Sequence, residues 1–151
     1  GASYAFIGTL IGSFLRFAWG PLCDRFGGAI WTFVSAIGMA VTMAWCGYLV
    51  AAADDPADFT VFMVALLAMF CFAGVGNAST FKQMPMIMPK RQAGGAIGFT
   101  AAVASLGPFI VGVAIASLGT TAWFWISVAY CAVCAVICWL RYARPGAPFP
   151  G

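Results

Sequence analysis

The sequence predicts an all-α fold, a polytopic membrane helix bundle. Of its 151 residues, 64% are hydrophobic and only 7% are charged, which is too few charges to cover the surface of a soluble domain. The apolar residues also fall into five segments, each close to or above the ~20 residues that an α-helix needs to cross a bilayer. These two observations together predict five transmembrane helices.

The five spans are predicted, in order, at residues 2–20, 29–53, 60–86, 93–118 and 121–141. Turn and helix-breaking residues mark the links between them, at residues 21–28, 54–58, 85–95 and 118–121. Because the last link is very short, we expect the fourth and fifth spans to form a tight hairpin. Residues 1–144 then make one transmembrane unit, followed by a cytoplasmic tail at residues 145–151.

The distribution of charge predicts the orientation in the cell membrane. The second link carries three aspartates and no Lys or Arg, whereas basic residues occupy the third link and follow the last span. Basic residues favour the cytoplasmic side, so the N-terminus is expected outside and the C-terminus inside. The net charge of +3 therefore reflects topology and not nucleic-acid binding. A chain that begins within an external apolar run, with no basic region before it, resembles a piece of a longer protein.

The first span contains a single charge, Arg16, within a lipid-length helix. A cation near the centre of such a helix costs roughly 2.5–3.5 kcal/mol on insertion scales, but Arg16 lies only four residues before Gly20 and could reach the headgroups by extending along the helix. The alternative rests on the small residues that share its helix face at four-residue spacing: Gly8, Gly12 and Gly20. Glycine stripes mark close helix packing, so we expect Arg16 to face protein or a cavity.

The first link combines charges with glycines, at Gly20, Asp24, Arg25, Gly27 and Gly28. The two final glycines permit a tight reversal into the next helix. A capped turn with a solvated charge pair would also explain these residues.

The third span becomes small and polar in mid-membrane, from Gly74 and Gly76 onwards. Gly74, Asn77 and Phe81 fall on one helix face, where the Asn77 amide and the Phe81 ring could line a site. Interhelical hydrogen bonding alone is the alternative. Lys82 lies nearer the cytoplasmic end, where its side chain could reach the headgroups or take part in a pathway.

The fourth span contains glycines that permit close helix packing, at Gly94, Gly95, Gly98 and Gly107. Pro108 can bend this helix and free a backbone carbonyl. Thr100 and Ser105 are its candidate polar contacts.

Six cysteines are present, and Cys131, Cys134 and Cys138 repeat at helical spacing. With no histidine in the chain, we interpret them as packed free thiols, and we expect no metal and no cofactor. No span carries the acid and histidine clusters of an intramembrane enzyme.

Taken together, three motifs resemble the nitrate/nitrite porter family of the major facilitator superfamily. They are G-x-x-x-R-x-x-x-G followed by D-R-x-G-G, then G-x-G-N-x-S-T-F, then A-x-G-F-x-x-A-x-x-x-x-G. The resemblance implies that the five spans are helices eight to twelve of a twelve-helix transporter. It also implies that the partner of this chain is the missing N-terminal half of the same transporter.

The resemblance assigns nitrate or nitrite as the substrate. Arg16 then binds the anion, Phe81 forms one side of an aromatic sandwich, and Asn77 lines the site with Thr100 and Ser105 as weaker candidates. The scarcity of membrane acids mildly favours anion exchange over proton symport. Two alternatives stay open: another organic-anion carrier of the superfamily, and a non-transporting membrane subunit in which Arg16 pairs with a partner's carboxylate.

Overall fold

The computed structural model describes residues 5–52 and 58–149, and every regular element within these ranges is helical. The elements in chain order are α1 Ala5–Ala18, α2 Gly20–Phe26, α3 Gly28–Ala52, α4 Asp58–Ile87, α5 Lys90–Ser105, α6 Gly107–Leu118 and α7 Thr120–Cys138, followed by a π-helical turn, Trp139–Ala143. Four stretches are long and apolar enough to cross a membrane, and α1 with α2 makes a fifth if this bent pair is one span. The predicted all-α membrane fold is confirmed. The predicted external aspartates Asp54 and Asp55 lie outside the described residues.

The helices occupy more of two links than the sequence predicts. Most of the first link, residues 21–28, is helix α2, which meets α1 at a bend of 43° beside Trp19. Pro21 lies in the first turn of α2, where its missing N–H leaves no hydrogen bond unmade within that helix, although its ring disturbs the turn before it. In the third link, α4 runs through Pro85 to Ile87 and α5 begins at Lys90.

The later helices also break where small residues and proline occur. A one-residue interruption at Leu106 separates α5 from α6, and Pro108 lies in the first turn of α6. Gly119, with a φ of 84°, is the whole connection between α6 and α7. This positive φ is a conformation that glycine adopts without strain, so the fourth link is even shorter than predicted.

Helix α3 is the centre of the bundle. It packs against α4 on one side and α7 on the other, and α1 packs against α4. The apolar core joins all three central helices through Cys46 of α3, Ala65 of α4 and Phe124 of α7. A hydrogen bond from Thr32 Oγ1 to Ser79 Oγ, 2.9 Å long, links α3 to α4. In this arrangement of four helices, the contact with α4 fixes the position of α1.

Helices α5 and α6 contact only their neighbours in the chain, α4 and α7. None of residues 94–118 is buried. Large apolar side chains on this pair are therefore uncovered, with Phe99 72% and Phe109 73% exposed. Although Gly119 turns the chain back as expected, α6 does not pack along α7 as a close hairpin partner.

The residues after the last helix fold back onto it. The Phe149 N–H donates to the Arg141 carbonyl at 3.1 Å, and the rings of Tyr142 and Phe149 lie 6.3 Å apart. Ala147 is buried beneath this turn. The described part of the predicted tail is thus attached to the end of the bundle.

Candidate functional site

The site is built on the contact between α1 and α4, which run side by side in the same direction. Gly8 faces Phe70, and Gly12 faces Gly74. We call this contact the α1–α4 seam. At its tightest point, a Cβ added to Gly74 would lie 2.5 Å from the Gly12 carbonyl oxygen. Because only glycine permits this approach, the seam holds the two backbones in a fixed register.

That register brings Arg16 to Phe81. Arg16 lies one turn beyond Gly12, and its Cζ lies 5.2 Å from the centroid of the Phe81 ring. A guanidinium at this distance from an aromatic face is held by a cation–π interaction. The two residues that the sequence singled out on different spans therefore form one cluster.

Asn77 lies one turn before Phe81 on α4, and its side chain is exposed, as is that of Arg16. Within the described ranges, Arg16 makes no ion pair with a carboxylate. The cluster thus presents an unneutralised guanidinium, an aromatic ring and, on the next turn of α4, an amide. The guanidinium and the amide can donate hydrogen bonds to a small anion, and the ring offers it an apolar face.

Arg16 opens onto a groove of about 720 Å³ between α1, α2 and α4. The residues lining it are Ser13, Arg16, Phe17, Ala18, Gly20, Pro21, Asp24 and Lys82. At the α2 end of this groove, Lys82 Nζ donates to both carboxylate oxygens of Asp24 at 2.7 Å. The groove therefore holds two cations and one carboxylate, and the carboxylate is engaged by Lys82.

The glycine-rich turn after α2 connects α2 to α3 beside the groove. Gly27 ends α2 with a φ of 85° and donates its N–H to the Cys23 carbonyl. Gly28, the first residue of α3, packs closely against α4, since a Cβ added to it would lie 2.7 Å from the Ser79 carbonyl oxygen. Arg25 lies over the Phe26 ring at 5.5 Å, outside the residues that line the groove. The turn thus fixes Asp24 against Lys82 of α4.

Some predicted residues are not brought to this cluster. Thr100 and Ser105 lie on α5, which does not contact α1 in the described chain, and Ser105 Oγ donates to the Ala102 carbonyl of its own helix. The glycines on α5 and α6 have no atom within 4 Å of an added Cβ: Gly94, Gly95, Gly98 and Gly107. By contrast, Gly76 packs against α3, with Ser35 Oγ 2.6 Å from an added Cβ.

The cysteines are free thiols, and four of them are buried: Cys23, Cys46, Cys131 and Cys138. Cys138 Sγ donates to the Ala29 carbonyl at 3.5 Å, which ties α7 to α3. Among the described residues, no group of three or more His, Cys, Asp or Glu side chains could hold a metal ion. The role that the structure shows for these thiols is packing.

Two polar contacts in the structure are not predicted from the sequence. The Lys82–Asp24 ion pair joins residues 58 positions apart, and the Thr32–Ser79 hydrogen bond joins residues 47 apart. For the first pair, the only sequence signal is that an acid and a base fall near the same membrane face on α2 and α4. For the second, the signal is the polar run in α4, which gives no partner.

Comparison with known proteins gives the relatives of this fold and cluster. The sequence profile of the Major Facilitator Superfamily matches residues 2–151. A probable nitrate/nitrite antiporter, NarK2 of Thermus thermophilus, is 48% identical over 155 residues, covering 97% of this chain and 34% of that protein. The nitrate/nitrite transporter NarU of Salmonella typhimurium is 35% identical over 101 residues, covering 66% of this chain and 21% of that protein.

NarU of Escherichia coli is 26% identical over 166 residues, covering 93% of this chain and 36% of that protein. The chain therefore spans at most about a third of the length of these relatives. These relatives are named as an antiporter and as transporters, and their family is one of membrane transporters and not of enzymes. The sequence-based assignment is confirmed: this chain belongs to the Major Facilitator Superfamily.

Proposed function

We propose that the chain is part of a nitrate/nitrite transporter and that Arg16 binds the anion. The observation that carries the proposal is the Arg16 guanidinium held over Phe81 at the open end of the α1–α4 seam. The relatives that are named for nitrate and nitrite support this substrate class.

The chemistry of the cluster suits a small planar anion. A guanidinium is itself planar and can donate two parallel hydrogen bonds to two oxygens of one ligand. Phe81 restricts the rotation of this group, so less conformational freedom is lost when the anion binds. Asn77 adds amide donors on the neighbouring turn of α4.

The site needs a second wall. Arg16 and Asn77 are exposed in this chain, while the relatives are about three times as long. We assign the opposite wall to the rest of the transporter and the five spans to helices eight to twelve. In this arrangement the chain alone does not transport, and rocking of the two halves gives alternating access to the site.

Anion exchange is the mode of transport that fits the described charges. The carboxylate in the groove belongs to Asp24, which is bound to Lys82, and an empty cationic site crosses the membrane only at an electrostatic cost. Nitrate uptake into proteoliposomes should therefore require nitrite or nitrate on the opposite side. Uptake that needs a pH gradient and no counter-anion would assign the protein to proton symport.

We place the protein in the cell membrane with its first helix entering from outside and its C-terminus in the cytoplasm. The basic residues on the first turn of α5, Lys90 and Arg91, support this orientation. A reporter fused after Arg144 should be active if it is a protein that works only in the cytoplasm. A reporter that works only outside the cell should be inactive at the same position.

The substrate assignment is tested with the full-length transporter in detergent. Arg16→Ala should abolish measurable nitrate binding, and Arg16→Lys should weaken it about tenfold or more, because an ammonium cannot reproduce the two-pronged hydrogen bonding. Arg91→Gln is the matched control, since it removes an exposed cation at the start of α5. Unchanged nitrate affinity in Arg16→Ala, or carboxylates that bind more tightly than nitrate, would reject the proposal.

A further inference from the structure

Lys82 is the one cation in the groove whose charge is neutralised within the described chain. Its Nζ contacts both oxygens of Asp24 at 2.7 Å, yet the two side chains remain 46% and 59% exposed. Ion pairs with this exposure contribute little to stability. The pair can therefore open and re-form at small cost, and a competing anion could displace the carboxylate.

The position of the Lys82 side chain permits such an exchange. Gly20 lies one turn after Arg16 and one turn before Asp24, and a Cβ added to it would lie 4.0 Å from Lys82 Cε. The lysine stem thus passes beside a residue with no side chain of its own. Since a lysine ammonium is a flexible point donor on four methylenes, it can turn about this stem towards Arg16.

We propose that Lys82 is a second, transient anion-binding residue on the α2 side of Arg16, and that the Asp24 carboxylate occupies it while no anion is there. This inference rests on the proposed function, because it concerns the path of the same anion. An anion leaving Arg16 towards α2 meets Lys82 within the same groove. It takes the place of the carboxylate and is released when Asp24 returns.

The pairing with Asp24 accounts for a requirement of transport. Two free cations in one groove would hold an anion strongly, whereas passage requires binding that is weak enough for release. An internal carboxylate at Lys82 competes with the anion and limits its residence. The same carboxylate repels anions when Lys82 is removed, so the two residues should have opposite effects on affinity.

A purely structural role for the pair makes different predictions. In that case Lys82 and Asp24 only join α2 to α4, and removing either one weakens this α2–α4 contact and changes nitrate affinity in the same direction. The comparison of single and double variants therefore separates a binding role from a structural one.

The experiment measures nitrate affinity and nitrate exchange in the full-length transporter carrying Asp24→Asn, Lys82→Gln or both. Asp24→Asn replaces the competing carboxylate with a neutral amide. It should therefore tighten nitrate binding about three- to tenfold, and it should slow exchange because the anion is released more slowly. Lys82→Gln should weaken binding, and the double variant should lose the gain of Asp24→Asn. Lys90→Gln is the matched control for loss of one exposed ammonium.

Unchanged or weaker binding in Asp24→Asn would overturn the inference, as would a gain that persists without Lys82. If Asp24→Asn does not fold, Lys82→Arg and Lys82→Gln are compared for both nitrate exchange and thermal stability. The arginine variant should keep nitrate exchange within about twofold of wild type, and the glutamine variant should lose exchange with an unchanged unfolding midpoint. Equal exchange in the two variants, or a loss of exchange that follows a loss of stability, counts against the inference. A failure of the underlying substrate assignment is distinct, because wild-type protein would then bind no nitrate.

Discussion

Phe81 is the residue that orients the cation of the site. Its ring centroid lies 5.2 Å from Arg16 Cζ, and a cation over an aromatic face at an exposed site gains ~0.5–1 kcal/mol. If Arg16 binds the anion as proposed, Phe81 acts on it through Arg16.

Replacing Phe81 separates the aromatic face from simple bulk. In the full-length transporter, Phe81→Leu should weaken nitrate binding about two- to fivefold, which matches the ~0.5–1 kcal/mol of an exposed cation–π contact. Phe81→Tyr keeps the face and should stay within about twofold of wild type. Isothermal titration of nitrate gives both values, and a leucine variant with wild-type affinity would show that the ring does not orient Arg16.

Arg16 and Phe81 could be found from the sequence because each lies in a periodic pattern. Glycines at four-residue spacing mark the face of α1, and the small polar run marks the face of α4. The Lys82–Asp24 pair could not be found, because it depends on the course of a lysine side chain across another helix. Its residues are 58 positions apart, and no local pattern connects them.

At the scale of elements, the α1–α4 seam sets the geometry of the site. The two backbones meet at Gly12 and Gly74, where the nearest atom to an added Cβ is a carbonyl oxygen at 2.5 Å. A backbone atom cannot move aside without moving its helix. At Gly8 the nearest atoms belong to the Phe70 ring, and a ring can rotate to make room.

This difference predicts a graded response to added methyl groups. Gly74→Ala should force α1 away from α4 and cost about 1–3 kcal/mol, the usual range for overpacking, together with lost nitrate binding as Arg16 leaves Phe81. Gly8→Ala should cost less. Thermal unfolding of the full-length transporter compares the two variants, and equal stability of Gly74→Ala and Gly8→Ala would contradict the tight seam.

Hydropathy is sufficient to predict the spans but not their ends. Proline and charge indicated loops at residues 21–28 and 85–95, yet α2, the last turn of α4 and the start of α5 occupy much of them. Proline is compatible with a helix in its first turn, as Pro21 is in α2. The chain bends by 43° between α1 and α2, next to that proline. Hydropathy alone does not predict a bend of this kind.

At the scale of the whole molecule, α5 and α6 form an apolar surface without a cover. They contact α4 and α7 only next to them in the chain, and their glycines face open space. Under the proposed function, the rest of the transporter covers this surface, since the chain spans at most about a third of its relatives' length. The small-residue pair Gly94 and Gly98 indicates from the sequence that this helix can pack closely, but a local pattern does not identify the helix that it packs against.

The packing role of Gly98 gives the prediction that belongs to this scale. In the full-length transporter, Gly98→Leu should lower the thermal unfolding midpoint and reduce nitrate exchange, because a large side chain separates helices that meet at a small residue. The described residues of this chain would not cause that loss, since none of their atoms lies within 4 Å of a Cβ at Gly98. Ala129→Leu on α7 is the matched control: Ala129 is also exposed, and it lies among the large exposed side chains Ile126 and Val133, which a leucine resembles. If Gly98→Leu keeps wild-type stability and exchange, this face of α5 lies against lipid. The opposite wall of the anion site must then approach from another side of the groove.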